Sequence, residues 1–268
     1  MSMAEQEESA RHRHVDERAN AYARGRRRRA LVVLLGALAV TATAVALVVV
    51  VLGRDDGTRV GEYKGALAPA VRQPDGSVAM ARPGVTAPVL ELYEDFQCPA
   101  CLALEERQGG TLKELAAQGR AKVVYRPFQL FQQDPLMSNS RRAANAALCA
   151  PADRWVKYHD ALYANQPAEG EIGFTEPELI KLAAQVGVTG AEFADCVSGQ
   201  RMMEGVDQSS AHAGRVGVNS TPYLALDGRK AGDDLLGSPD ALREAVAGAR
   251  MDAPAPHGGN APGDAATR

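Results

Sequence analysis

The longest feature in the hydrophobic pattern is a run that no charged residue interrupts. Residues 31–52 carry no Asp, Glu, Lys or Arg. As a helix, such a run rises about 1.5 Å per residue and reaches roughly 33 Å, enough to cross a bilayer core. A transmembrane anchor is therefore predicted over 31–52. Residues 1–30 are polar and charged and read as a disordered tail. Residues 53–70 mix Gly, Pro and both signs of charge and read as a linker.

From residue 71 to about 250 the pattern becomes that of a folded domain. Two short apolar stretches flank Pro74-Asp75-Gly76 and predict a hairpin. Residues 89–93 form an apolar, strand-like run that leads straight into Cys98-Pro99-Ala100-Cys101. Leu102, Leu104, Leu112 and Leu115 then predict one apolar helix face, kinked at Gly109-Gly110 and ended by Gly119. Residues 121–125 predict a second strand. The result is a β-α-β unit with the cysteine pair at its strand-to-helix junction. Between about 134 and 216 strand signals vanish and helical ones follow one another. Thr175 and Glu178 have the spacing of a capping box. The strand signal returns at residues 221–226, before the turn dipeptide Asp227-Gly228. Ser238-Pro239 then opens a last helix, to about residue 250. Residues 251–268, rich in Pro, Gly and Ala, read as a disordered tail.

Charge sets the orientation of the anchor. Arg24 and the four arginines 26–29 precede the apolar run, whereas Arg54, Asp55 and Asp56 follow it. The positive-inside rule places the N-terminus in the cytoplasm and the remainder outside, as a single-pass protein of the cell membrane. A cleaved signal peptide is the competing reading. Its apolar region is shorter, however, and ends in small residues, whereas this run ends Val50-Val51-Leu52-Gly53. The formal net charge of −3 gives no case for nucleic-acid binding.

Cysteine usage narrows the chemistry. The chain has four: Cys98, Cys101, Cys149 and Cys196. A Cys-x-x-Cys pair is half of a zinc site, a structural disulfide or a redox couple. Zinc needs further ligands at close spacing, which Cys149 and Cys196 do not supply, so no metal is expected. For a redox couple the position is apt. Cys98 at a helix N-terminus has unpaired N–H groups and the helix dipole to favour a thiolate. Pro99 at the first helical position loses nothing by lacking an N–H. Cys101, one turn on, would be shielded and able to resolve a mixed disulfide. If these two pair, Cys149 and Cys196 remain. Outside the cytoplasm they are expected to form a structural disulfide; two buried thiols or a second redox pair are the alternatives.

The string Glu94-Asp95-Phe96-Gln97-Cys98-Pro99-Ala100-Cys101 resembles the active-site entry of the DsbA-like branch of the thioredoxin superfamily. Val218-Asn219-Ser220-Thr221-Pro222-Tyr223 resembles that family's cis-proline strand. The resemblance spans about residues 70–250 and implies an α/β, thioredoxin-like fold with a helical insertion at about 134–216. It implies that Cys98 is the solvent-facing nucleophile and Cys101 the resolving cysteine. Thr221 and a cis Pro222 would lie against them and dock substrate backbone. Two positions depart from the family pattern. Ala100 stands where family oxidases often have His, which puts strong oxidising power in doubt. Leu92 stands where thioredoxin-like proteins often bury an acid. Asp95 and Glu94 are candidates to assist proton transfer, or are ordinary strand-end carboxylates. His159 and His212 read as surface or packing histidines.

The expected function is thiol–disulfide exchange with cysteines of exported proteins, in the direction of introducing disulfides, with no bound cofactor. A quinone-linked membrane oxidase that reoxidises the pair is implied by the resemblance. Reductase and isomerase directions use the same two cysteines. A rival of another class is a non-catalytic module that holds exported polypeptides in a thioredoxin-like groove.

Overall fold

A computed structural model describes residues 63–252. The predicted anchor and both predicted tails lie outside these residues, apart from the last two positions of the helix that ends at Asp252. Every described element belongs to one unit, which begins at Thr58. Among the described residues no helix is long and apolar enough to cross a membrane.

Six strands form one mixed sheet: β1 (Ala70–Arg72), β2 (Val78–Met80), β3 (Val89–Glu94), β4 (Lys122–Pro127), β5 (Tyr223–Leu226) and β6 (Arg229–Lys230). Their spatial order is β1-β2-β4-β3-β5-β6. Only β3 and β4 are parallel, with Leu90 opposite Val123 and Leu92 opposite Tyr125. A parallel pair needs a crossover. The helical segment between them supplies it: α1 (Pro99–Leu104), a single π-turn at Glu105–Gly109 and α2 (Gly110–Ala117). A π-turn ends at Gly109, where the sequence leads one to expect a kink. Gly119 ends the helix at φ +69, a conformation that costs glycine little.

The β1–β2 hairpin turns at Gly76, φ +80. A Cβ there would collide with the Gly205 carbonyl oxygen, so the turn is seated against a helix of the next layer. That layer comprises α3 (Leu136–Cys149), α4 (Ala152–Ala164), α5 (Glu176–Gln185), α6 (Ala191–Ser198) and α7 (Met203–Arg215). All five fall between β4 and β5, where strand signals are missing from the sequence. The capping box at Thr175 and Glu178 closes as its spacing predicts. A one-turn helix, α8 (Asp233–Gly237), and α9 (Pro239–Asp252) complete the domain.

The core sits between sheet and helices. Leu90, Leu92, Val123 and Tyr125 enter it from β3 and β4, and Trp155, Tyr158 and Leu162 from α4. Burying a large apolar side chain is worth about 1.5–3 kcal/mol. The stripe on α4 is therefore a principal hold on the helical layer. Met202 and Met203 pack half-buried against the same core.

Candidate active site

Strand β3 delivers its chain end into a tight turn before α1. The turn is held from within. The Cys98 N–H donates to the Asp95 carbonyl oxygen at 2.9 Å, and Cys101 N–H to the Cys98 carbonyl at 3.1 Å. Cys98 is the N-cap residue of α1, with Pro99 at its first position. Both cysteines are free thiols. The expectation that Cys98 faces solvent needs correction. It is 6 % exposed, against 1 % for Cys101, so little of it is open, while Pro99 and Ala100 are exposed. The cover comes from the loop before β5. Its Thr221–Pro222 bond is cis, and the Cys98 Sγ lies 3.7 Å from the Thr221 carbonyl oxygen.

The two thiols differ in acidity. The Cys98 thiol is lowered to about 5. The largest cause is a hydrogen bond from the Cys101 thiol. Burial opposes it, and Thr221 and the N–H groups of Cys101 and Ala100 add to it. Cys101 is pushed well above its ordinary value by burial and by the negative charge at Cys98. At neutral pH one sulfur is a thiolate and the other holds its proton. No histidine is needed for this asymmetry: the contacts above produce it with Ala100 in place.

Asp95 is not an ordinary loop carboxylate. It is fully buried. One oxygen accepts from the Gln97 N–H at 2.8 Å and the Ser140 hydroxyl at 2.6 Å; the other accepts from the Leu130 N–H at 2.8 Å. It thereby ties the active-site turn to the loop after β4 and to α3. Burial raises it to about 6 despite these bonds. Leu92, at the position where thioredoxin-like proteins often bury an acid, is a core residue at 1 % exposure.

Other holders of the turn escape sequence reasoning. The Gln166 amide donates to the Phe96 carbonyl at 2.8 Å and to the Cys98 carbonyl at 3.0 Å. Gln97 donates to the Pro167 carbonyl and accepts from Asn139 at 2.7 Å. His159 is neither a surface histidine nor an apolar packing one. It is wholly buried, 2.9 Å from Glu94 Oε1 and 3.1 Å from Asp160 Oδ1. Its position on the apolar stripe of α4 is the one signal in the sequence. His212 is half-buried, its Nε2 3.1 Å from the Tyr93 hydroxyl. In the helical layer, a disulfide joins Cys149 and Cys196, with Cα atoms 5.9 Å apart.

A Cys-x-x-Cys pair of unequal acidity, at a helix start and facing a cis-proline loop, defines a protein built for thiol–disulfide exchange. A family model described as Thioredoxin matches residues 84–247, more than half of the chain, and the chain belongs to that family, in its DsbA-like branch. Among solved structures, the reduced disulfide bond oxidoreductase DsbG of Mycobacterium tuberculosis is 32% identical. The match covers 65% of this chain and 84% of that one, with a TM-score of 0.55. Oxidised DsbA of the same organism is 30% identical over 70% of this chain and 94% of its own, TM-score 0.55. The thiol-disulfide oxidoreductase MdbA of Corynebacterium diphtheriae shares the fold at 18% identity, covering 67% of this chain and 96% of its own, TM-score 0.57. No curated protein matches the chain by sequence. The chain is a protein disulfide oxidoreductase.

Proposed function

We propose that the chain introduces disulfides into exported proteins from the outer side of the cell membrane, through Cys98 and Cys101. The observation that carries the direction is the Cys98 thiol, lowered to about 5 in the reduced state. A stabilised thiolate favours the reduced couple, and a favoured reduced couple makes the oxidised one an electron acceptor.

The cycle starts with the Cys98–Cys101 disulfide. A substrate thiolate attacks Cys98 Sγ; the sulfur–sulfur bond breaks and Cys101 leaves with the electron pair. Its high pKa draws a proton to it. A second substrate thiolate then attacks the substrate sulfur of the mixed disulfide. Cys98 leaves as a thiolate and the substrate disulfide is complete. Two electrons have passed from substrate to the couple. One proton stays on Cys101 and one goes to solvent. Thr221 and Pro222 form the ledge against which the substrate backbone docks. A quinone-linked membrane oxidase takes the two electrons onward. The charge-free run at 31–52, with Arg24 and the four arginines 26–29 before it against Arg54, Asp55 and Asp56 after it, supports an anchor and this outward placement.

The test is the reduction potential of the couple in the purified full chain, equilibrated in glutathione buffers. A value near or above roughly −180 mV fits an oxidase. A value near roughly −270 mV identifies a reductase fed with electrons across the membrane. Cys98→Ser with Cys101→Ser should abolish disulfide formation. Activity surviving that change would leave only a polypeptide-holding module. Protease treatment of intact cells should digest the domain after residue 53 and spare the N-terminal tail; the reverse pattern would sink the proposed orientation.

A further inference from the structure

Beneath the active-site helix lies a group of buried charges. Glu94 comes from the end of β3, Glu105 from the π-turn, Lys113 from α2, and His159 and Asp160 from α4. Their side chains are 1 %, 7 %, 4 %, 0 % and 13 % exposed, in that order. Lys113 Nζ bridges Asp160 at 2.8 Å and Glu105 at 3.3 Å. His159 sits between Glu94 on one ring nitrogen and Asp160 on the other.

The arrangement is incomplete in two respects. The first is charge. Three carboxylates and one ammonium leave two negative charges unbalanced before the imidazole is counted. Buried charge without compensation is strongly unfavourable. The second is hydrogen bonding. Glu105 Oε1 and the Tyr125 hydroxyl are buried with no partner, and Glu94 Oε2 has only the Tyr163 hydroxyl near it. One ligand atom each from Glu94, Glu105 and His159 lies within 4.8 Å of the others. Two positive charges placed among these atoms would satisfy both deficits.

We propose that Glu94, Glu105 and His159 bind one divalent transition cation of the zinc class. Two carboxylate oxygens and an imidazole nitrogen suit such an ion better than calcium, which takes six or more oxygens. Ligands of a tetrahedral zinc stand about 3.3 Å apart, so rotation of the two carboxylates about their stems closes the cluster. Tyr125 or a water completes the shell. The second nitrogen of His159 already faces Asp160, the outer-shell carboxylate that orients a metal-bound imidazole. Lys113 then balances the third carboxylate, and ion and protein sum to zero. The π-turn has a place in this design. It carries Glu105, and Gly109 lies against that side chain's Oε2.

The hydroxyls of Tyr125 and Tyr163 also face the cluster.

The experiment uses the full chain with the Cys98–Cys101 pair oxidised, so that no thiolate there competes. Zinc is offered to the folded protein and, separately, during refolding. Elemental analysis after dialysis should find one equivalent. The Cys98→Ser, Cys101→Ser double variant should retain the ion. Glu105→Gln, nearly the same in shape, should lose it. Cobalt(II) in the same site should give a spectrum without a thiolate charge-transfer band. Zinc uptake that is no greater than in Glu105→Gln, by either route, overturns the proposal. So does uptake that disappears with the two serines, or a cobalt spectrum with a thiolate band.

Discussion

The sulfur of Cys98 rests 3.7 Å from the carbonyl oxygen of Thr221, a residue 123 positions further along the chain. The contact joins the first half of the domain to the strand that follows the helical layer. On the other side of Cys98, Pro99 and Ala100 stay exposed.

Alkylation should read out the unequal thiols. In the reduced chain, the rate of iodoacetamide modification of Cys98 should rise with pH through a midpoint near about 5. Cys101 should stay unmodified well beyond neutrality. The folded thiol is lowered below the ordinary value of about 8.5. Its contribution to stability of the reduced form is therefore complete above that ordinary value and fades as pH falls through about 5. A midpoint near 8 would remove the basis for an oxidising couple.

Asp95→Ala should unsettle the site from below. It strands the Gln97 N–H and the Ser140 hydroxyl, both buried, and the half-buried Leu130 N–H. Each unsatisfied group costs on the order of 1–3 kcal/mol, and urea unfolding should show a loss of about 3 kcal/mol or more. The pH dependence has the opposite sign to that of Cys98. A carboxyl raised to about 6 holds its proton in the folded state after the unfolded chain has released it. Its contribution therefore falls as pH rises from about 4 toward 6, and the substitution should flatten that part of the profile.

Gln166→Ala should alter chemistry more than stability. The amide is shared between the Phe96 and Cys98 carbonyls. Without it the turn that aims the Ala100 and Cys101 N–H groups at the Cys98 sulfur is less firmly held. The alkylation midpoint of Cys98 should move upward, with about 1–2 kcal/mol lost in unfolding. An unchanged midpoint would mean that the turn holds itself.

Replacing both Cys149 and Cys196 by Ala should separate stability from exchange chemistry. The bond closes a separation of 47 residues. The chain-entropy estimate for such a loop is about 4 kcal/mol. Denaturation should shift to lower urea by at most that amount. Below the transition, the Cys98 alkylation midpoint should be unaltered; a shift would show the helical layer pressing on the site.

Local signals read well from the sequence, and distant pairings do not. The strand-to-helix junction at Cys98, the capping box at Thr175 and Glu178 and the succession of helices after residue 134 each rest on spacings of a few residues. Those spacings carry their own physics. His159 and Glu94 meet across 65 positions, and nothing in either neighbourhood marks the partner. Asp95 is ambiguous in sequence for the same reason, since two of its donors, Leu130 and Ser140, arrive from other elements. The one-turn helix Asp233–Gly237 is too short to show a period. Cis bonds before Pro88 and Pro135 have no residue pattern that announces them. The resemblance places Thr221 and Pro222 against the cysteine pair, but how far they and their surroundings bury Cys98 is a tertiary quantity.

The Cys149–Cys196 bond has a consequence for the history of each molecule. A newly made chain carries four thiols, and two of them must surrender a pair of electrons before the helical layer is fastened as it is here. A protein proposed to oxidise the cysteines of others thus starts as a client of the same reaction. The supply of mature copies depends on an oxidant already at work where the domain folds, whether an unrelated one or an earlier copy of itself.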